Sequence, residues 1–276
     1  MVNQTRVCQG ERDLNDRSKK LVTHRLNYNQ REEMDYEQGV SVELCPLYDF
    51  SVEPWTLLRH LIRQLTLAHL VIQYSKVNKQ PVQVTVLDVA CNYAELWTLL
   101  SRQMKAKGAR LKYIGVDIDE DKKIIAHQLR STVDFRVMDM MNIADIPEAP
   151  FDVIVCGETI EHVDEAQGRE FFRIMSECTK SGGYIILSVP TPESELHRQN
   201  PFHLRLWSLT EIMELGNNNG VECIDGFHLG VHKNSWPSYL HEAESRMPRE
   251  ICRAIASAEI GDDIIGPNFI YVGRKL

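Results

Sequence analysis

Four acidic side chains follow four predicted β-strands, each at the point where an apolar run ends. The four are Asp88, Asp117, Asp139 and Glu158. Because parallel strands end at the same edge of a sheet, we expect these acids to surround one ligand site. A carboxylate offers two acceptor oxygens, so Asp117 suits both hydroxyls of a ribose and Asp139 suits an exocyclic amine. The alternative for either acid is the N-cap of the next helix.

A second group of functional residue types is the segment Glu158-Thr159-Ile160-Glu161-His162. Spacings of three and four residues predict that Glu158, Glu161 and His162 share one face of a helical turn. Two carboxylates and an imidazole suit a divalent cation such as Mg2+ or Mn2+, with His203 as a fourth ligand. His162 can instead act as a general base, with Glu158 as a second catalytic residue. The third interpretation is structural, an acid at a helix start that is hydrogen-bonded to a histidine.

The elements that position these residues begin with the stretch 84–96. An apolar, β-branched run ends at Asp88, a compact turn follows, and an amphipathic helix begins near Leu96. A strand, a tight turn and a helix in this order open a nucleotide-binding βα unit. The backbone N–H groups of the turn lie at a helix N-terminus, where they face a ligand at the strand end.

Further strands and helices alternate along the chain. Helices are predicted over 51–77, 119–129, 164–180 and 208–215, and strands from 81 and over 111–116, 133–137, 151–156, 184–189, 221–227 and 268–272. Ser208 and Glu211 have the spacing of a capping box. The alternation predicts an α/β fold, with a Rossmann-like, doubly wound, mostly parallel sheet of seven strands.

Composition and charge restrict the class of protein. The 276 residues are 43% hydrophobic and 25% charged, as in ordinary globular proteins, and the net charge of −8 argues against broad binding to nucleic-acid backbones. No apolar run approaches the ~20 residues of a membrane span, and the first twenty residues lack a signal-peptide core. The seven cysteines never form a C-x-x-C pair, which favours reduced thiols. We therefore expect a cytoplasmic protein with no membrane partner.

From about Thr85 to Val189 the sequence resembles the class I S-adenosylmethionine-dependent methyltransferases. Residues 88–95 stand at the family's D-x-G-x-G-x-G turn, and the other matches are 114–118 at its ribose-binding strand end, 138–140 at its adenine contact, 151–156 and 181–187. The resemblance implies S-adenosylmethionine as cofactor and a terminal antiparallel hairpin of the last two strands. The cofactor-binding residues that it implies are Asp88, Ala90, Asn92, Asp117, Ile118, Asp139, Met140 and Cys156.

The turn departs from the family pattern because Ala90, Asn92 and Ala94 replace all three glycines. Glycine serves there for positive φ and for close approach of the backbone to the ligand. Asparagine tolerates the left-handed region and alanine adds only a methyl group, so the turn can persist without glycine.

The resemblance implies methyl transfer to an oxygen or nitrogen atom of a small-molecule or nucleoside-type acceptor. His162 is the first candidate for removing the acceptor's proton, or for holding the metal ion that does so. A similar E-x-x-E-H with a later histidine occurs in small-RNA 3′-terminal 2′-O-methyltransferases, where it resembles a magnesium site. Ubiquinone-pathway O-methyltransferases have a similar Glu-His turn.

Two alternative functions stay open. The first is a metal-dependent RNA 2′-O-methyltransferase, which the acidic balance disfavours. The second is a non-catalytic binding or scaffold protein that keeps the methyltransferase fold.

The predicted domain organisation has two parts. Residues 1–50 mix charges without a clear period and are predicted to form an N-terminal arm or lid. Residues 51–276 are predicted to form the methyltransferase domain, with 190–207 and 231–265 as insertions on the acceptor side.

Overall fold

The computed structural model of the protein describes residues 54–75, 83–229 and 268–276. The predicted arm over 1–50 and the predicted insertion over 231–265 lie outside these residues. From Arg59 onward the described residues belong to one compact unit. None of their helices combines the length and the apolarity that crossing a membrane requires.

The longer helices and the strands follow one another in the predicted order, and one short helix, Glu195–Arg198, lies in the predicted insertion over 190–207. The helices are α1 (Pro54–Tyr74), α2 (Glu95–Ala106), α3 (Glu120–Leu129), α4 (Glu165–Glu177), α5 (Glu195–Arg198) and α6 (Leu209–Asn218). The strands are β1 (Gln83–Val89), β2 (Arg110–Asp117), β3 (Phe135–Val137), β4 (Phe151–Gly157), β5 (Thr179–Pro190), β6 (Val221–Leu229) and β7 (Asn268–Lys275). Two 3₁₀ helices lie at Met140–Asp145 and Ile160–His162.

The seven described strands form one sheet in the order β3-β2-β1-β4-β5-β7-β6. The pairs β1·β2, β1·β4, β2·β3 and β4·β5 are parallel, whereas β7 runs antiparallel to both β5 and β6. The predicted Rossmann-like sheet with a terminal antiparallel hairpin is thereby confirmed. Strand order reverses between β1 and β4, and open α/β sheets bind ligands at the carboxyl edge of such a switch point.

The core holds this carboxyl edge in place from both faces of the sheet. Central strand residues such as Leu87 and Ile154 are fully buried, as expected for parallel strands covered on both sides. Phe171 and Trp207 belong to one large core cluster, together with residues of β1, β2, β4 and β5. Leu67 of α1 packs over β4, since a Cβ added at Gly157 would lie 3.5 Å from its Cδ1.

The boundary between α4 and β5 differs from the prediction. The helix predicted over 164–180, closed by residues 181–183, in fact ends at Glu177, and the three closing residues lie inside β5. The start of β5 already pairs with the start of β4, and the register then shifts. Gly182, with φ +76°, and Gly183, where a Cβ would lie 2.9 Å from a carbonyl oxygen of β4, allow this bulge. A glycine pair marks either a turn or a bulge, and only strand pairing distinguishes them.

Two smaller predictions have opposite outcomes. The predicted capping box is confirmed, because the side chains of Ser208 and Glu211 each accept the other's backbone N–H at the start of α6. The third strand predicted over 133–137 begins two residues late, at Phe135. Val133 instead closes a turn, where its N–H donates to the Arg130 carbonyl oxygen at 3.0 Å.

Candidate functional site

The turn after β1 keeps a left-handed backbone at the three positions where the family pattern has glycine. Ala90, Asn92 and Ala94 have φ of +54°, +53° and +57°. The prediction that the turn can persist without glycine is therefore confirmed. Each non-glycine residue in this conformation costs roughly 1–2 kcal/mol, so neighbouring elements must hold the turn.

Hydrogen bonds from β2 and α3 hold this turn. Asp117, the last residue of β2, accepts the Asn92 backbone N–H at 3.0 Å through Oδ2. Arg130, buried at the end of α3, donates to the Tyr93 carbonyl oxygen at 2.9 Å and to the Thr98 hydroxyl. The strained backbone is thus fixed by partners 25 and 37 residues away in the sequence.

Replacing Ala90 by glycine is expected to stabilise the protein by about 1 kcal/mol, because glycine adopts positive φ without a Cβ penalty. Ala90 is only half-buried, so little packing is lost. The matched control is Ala166→Gly at an exposed position in the first turn of α4, expected to destabilise by about 0.5–1 kcal/mol. Urea unfolding followed by circular dichroism measures both. Destabilisation in both variants would contradict strain in the turn.

Asp117 is buried, and backbone N–H groups orient its carboxylate. Its Oδ1 accepts the Asp119 N–H at 3.1 Å, and Lys122 Nζ lies 3.3 Å from Oδ2. The adjoining Ile118 is 71% exposed, so its apolar side chain is accessible for packing against a flat heterocycle. The arrangement can hold a ribose at the carboxylate with a base beside it.

The next predicted cofactor residues lie at the same sheet edge. Asp139 is exposed and caps the 3₁₀ helix that begins at Met140, since its Oδ1 accepts the Met141 N–H at 2.9 Å. Cys156 is buried near the end of β4, and burial raises the pKa of its thiol, so it offers an apolar wall and not a nucleophile. Contacts of Asp139, Met140 and Cys156 with a cofactor stay predictions.

Asp88 lies buried near the end of β1. The Tyr113 hydroxyl of β2 donates to its Oδ2 at 2.5 Å. Burial raises the pKa of Asp88 to about 7, and the charges of Glu95 and Asp117 act in the same direction, whereas the Tyr113 hydrogen bond opposes them. The turn is therefore lined by carboxylates and favours a positively charged ligand group.

Three of the four predicted metal ligands lie close together, two in the 3₁₀ helix after β4 and one in the segment after α5. Among the described residues, Glu161, His162 and His203 each place one potential ligand atom within 4.8 Å of the other two. Glu161 is fully buried, and neither carboxylate oxygen has a hydrogen-bond partner within the described part of the chain. Burial raises the pKa of Glu161 well above its ordinary value, with a further contribution from the charge of Glu158. Such a carboxylate favours a nearby cation.

His162 is oriented by the backbone of the segment that follows α5. Its Nδ1 lies 2.9 Å from the Phe202 carbonyl oxygen, which can only accept. In the neutral ring the proton therefore sits on Nδ1, and Nε2 keeps its lone pair. Nε2 lies 3.8 Å from Glu161 Oε1, and the side chain is 44% exposed. This imidazole can accept a proton or bind a cation at Nε2.

His203 completes the cluster from the same segment. Its ring lies 5.2 Å from the His162 ring, edge to face, and stacks on His197 at 5.3 Å. The Asn200 side-chain amide lies 2.9 Å from Nε2. Burial lowers the pKa of His203, and the neighbouring His162 lowers it further, so the ring favours the neutral form that binds metals.

Glu158 lies outside this cluster. The prediction that it shares a helical face with Glu161 and His162 is wrong, because Glu158 has φ +54° and precedes the 3₁₀ helix that carries the other two. It is absent from the group that Glu161, His162 and His203 form in the described residues. Its predicted role as a metal ligand is not supported by this geometry, and its catalytic role stays a prediction.

The Glu158 carboxylate instead contacts three other elements. It accepts hydrogen bonds from the Ser188 hydroxyl of β5 at 2.7 Å and from the Asn268 side-chain amide of β7 at 2.6 Å. Arg63 of α1 lies 3.7 Å away. These contacts hold the left-handed turn that carries the chain from β4 towards His162.

Sequence reasoning missed Tyr113, Arg130 and Arg63, which support the site from other elements. Their side chains belong to no motif, and Arg63 and Arg130 carry no local signal. Tyr113 carries a weak one, a large polar aromatic in a buried strand two residues before Gly115. A Cβ at Gly115 would lie 3.1 Å from Tyr113 Cε1, so the glycine makes room for the ring.

Comparison with known proteins finds related sequences. The chain is 30% identical over 119 residues to the ubiquinone biosynthesis O-methyltransferase of Xanthomonas axonopodis, covering 42% of this chain and 47% of that protein. It is 34% identical over 108 residues to the enzyme of the same name from Pseudomonas paraeruginosa, covering 38% and 43%. The chain thus spans less than half the length of these curated relatives.

A solved structure with the same fold and a family model agree with these sequence matches. The crystal structure of magnesium protoporphyrin IX methyltransferase from Synechocystis with bound S-adenosylhomocysteine has the same fold, with a TM-score of 0.53 and 11% identity over 91% of this chain and 95% of that one. Residues 58–225, more than half of the chain, match the family model described as "Methyltransferase domain". The chain therefore belongs to the class I S-adenosylmethionine-dependent methyltransferases.

Proposed function

We propose that the protein transfers a methyl group from S-adenosylmethionine to a hydroxyl oxygen of an apolar small molecule. The observation that carries the proposal is that the predicted cofactor turn and the candidate base His162 lie at the same edge of the sheet. The left-handed turn with Asp117 lies there after β1 and β2, and His162 with its available Nε2 lies there after the adjacent β4. The relatives in ubiquinone biosynthesis, named O-methyltransferases, support oxygen as the acceptor atom.

The residues of the first two βα units would hold the cofactor. Asp117 accepts the ribose hydroxyls while its other bonds keep the turn in place. The exposed Ile118 would pack against the base, and Asp139 and Met140 would contact the polar edge of the base. Asp88 would attract the positively charged amino-acid end.

The chemistry then requires that the acceptor hydroxyl be aligned with the methyl group and that its proton be removed. When bound, S-adenosylmethionine would supply an electrophilic methyl group on a positively charged sulfur, which the acceptor oxygen would displace together with its bonding electrons. His162 accepts the hydroxyl proton at Nε2 while the Phe202 carbonyl holds its Nδ1–H. Glu161 Oε1 lies 3.8 Å from Nε2, and the ionised form of this buried carboxyl would stabilise the imidazolium that results.

The surface beside His162 favours an apolar acceptor. Phe202, whose carbonyl orients His162, has a side chain that is 73% exposed, and that of Leu204 is 64% exposed. The Leu204 N–H donates to the Glu161 carbonyl oxygen at 2.8 Å, so both apolar side chains stand on a segment anchored at the cluster. The two arginines of this region are already paired, Arg198 with backbone carbonyls and Arg205 with glutamates.

The test is transfer of a tritiated methyl group to acceptors of contrasting chemistry. We expect label in the neutral aromatic 4-methylcatechol and none in a short RNA with free 2′- and 3′-hydroxyls. Label in RNA alone would favour the RNA 2′-O-methyltransferase alternative. Failure to bind S-adenosylhomocysteine in calorimetric titration would favour the non-catalytic scaffold.

The cluster of Glu161, His162 and His203 supports a second proposal, a bound divalent cation. The residue types fit, because the set offers one carboxylate and two imidazoles. Two buried carboxylate oxygens without a hydrogen-bond partner in the described residues also suit a positive ion. In that case His162 would hold the ion through Nε2, together with Glu161 and His203, and the ion would supply positive charge for the acceptor oxygen.

Titration with Mn2+ separates the two roles of His162. A metal site predicts saturable binding that Glu161→Gln weakens at least tenfold, and methyl transfer that a chelator abolishes. The matched control is Glu165→Gln, an exposed carboxylate at the start of α4, which should bind Mn2+ as the unmodified protein does. Activity that persists in chelator, without Mn2+ binding, would leave His162 as the general base.

A further inference from the structure

Tyr113 is the partner that the structure assigns to Asp88 beneath the cofactor turn. We propose that Tyr113 is a positioning residue, which holds the Asp88 carboxylate as the partner of the cofactor's cationic amino-acid end. The proposal rests on the cofactor binding proposed above and adds a residue that no sequence motif contains.

The backbone brings the two side chains together across adjacent strands. The parallel register pairs Val86 with Tyr113 and Asp88 with Gly115, so the Tyr113 ring must pass over Gly115 to reach the carboxylate. A Cβ at Gly115 would lie 3.1 Å from the Tyr113 ring and 2.8 Å from Cys91 Sγ. The resulting hydrogen bond of 2.5 Å is buried. The Tyr113 ring and the Cys91 side chain therefore both lie over Gly115, and the missing Cβ leaves the space that the ring occupies on its way to Asp88.

The surroundings of Asp88 explain why the position of its carboxylate matters. The titratable groups that act on it are Tyr113 and Asp117 of β2, Cys91 of the turn, Glu95 of α2 and Cys156 of β4. These groups carry negative charge or none, and burial raises the pKa of Asp88 to about 7. The Tyr113 hydrogen bond lowers that pKa and favours the ionised form. An ammonium group is the ligand chemistry that such a site attracts.

Calorimetric titration with S-adenosylhomocysteine between pH 6 and pH 8 tests the proposal. In the unmodified protein we expect affinity to fall about tenfold from pH 8 to pH 6, because protonation of Asp88 removes the charge that attracts the ammonium. In Tyr113→Phe the midpoint should move upward by about one pH unit, since the carboxylate loses a hydrogen bond that favours its ionised form. Asp88→Asn should bind weakly, with no pH dependence in this range.

The control is Tyr271→Phe, which removes a buried hydroxyl that has no hydrogen-bond partner in the described residues. Its pH profile should match that of the unmodified protein. An unmoved midpoint in Tyr113→Phe, or a pH-dependent profile in Asp88→Asn, would overturn the proposal and leave cofactor binding intact. Absence of binding by the unmodified protein at every pH would overturn both.

Discussion

Asp117→Ala is expected to weaken S-adenosylhomocysteine binding by about 100-fold, equivalent to ~2.8 kcal/mol. The carboxylate accepts the backbone N–H groups of Asn92 and Asp119, at 3.0 and 3.1 Å, and its removal leaves both without their acceptor. An unpaired buried donor costs about 1–3 kcal/mol, so the left-handed turn loses its anchor at the same time as the ribose loses its acceptor. Calorimetric titration measures the dissociation constant directly.

Two further variants show which function of Asp117 is lost. Asp117→Asn keeps one acceptor oxygen, and we expect it to bind about tenfold more weakly than the unmodified protein. Asp121→Ala removes an exposed carboxylate from the start of α3 and should bind with unchanged affinity. If Asp117→Ala bound the ligand as well as the unmodified protein, the cofactor would not lie at the β1–β2 edge. The proposed function would then lose its main support.

His162→Asn is expected to lower the rate of methyl transfer to 4-methylcatechol by about 10²–10⁴-fold, the usual contribution of a general base. Asparagine can still donate to the Phe202 carbonyl oxygen, so the segment carrying Phe202 stays in place while the basic Nε2 is lost. The affinity for S-adenosylhomocysteine should stay near that of the unmodified protein, because His162 follows β4 and not the cofactor turn. Transfer of a tritiated methyl group gives the rate, and calorimetry gives the affinity.

The matched control for His162 is His127→Asn, at an exposed position near the end of α3. This variant should transfer methyl groups at the unmodified rate. Equal rates in the two variants would show that His162 neither removes the proton nor holds an ion that assists its removal. Loss of cofactor affinity in His162→Asn would instead indicate that its effect is structural.

Local patterns in the sequence were sufficient for the fold and for the strand-end acids. Each strand and each of the longer helices is signalled by residues within about ten positions, through apolar runs, amphipathic spacing and caps such as Ser208 with Glu211. Parallel pairing then places all carboxyl ends at one edge, so Asp88, Asp117 and Asp139 were predictable there. The bulged start of β5 was not predictable, because its pairing with β4 decides it.

The conformation of individual site residues depended on partners far away in the sequence. The turn after β1 keeps its left-handed backbone without glycine because Asp117 of β2 and Arg130 at the end of α3 form hydrogen bonds with it. Glu158 takes φ +54° and turns towards Ser188 and Asn268, the latter 110 residues away, although its spacing predicted a helical face. A spacing rule describes a regular backbone, whereas the backbone at these positions is set by buried hydrogen bonds between distant elements.

The sequence by itself thus determined the sheet, the order of its longer helices and the edge at which open α/β sheets bind ligands. Only the tertiary structure decided which polar groups meet there, since Glu161, His162 and His203 form a cluster and Glu158 does not. It also decided that Tyr113 reaches Asp88 across Gly115. The physical reason is that secondary structure follows from local steric and apolar periodicity, while a side chain's hydrogen-bond partner depends on packing across the whole core.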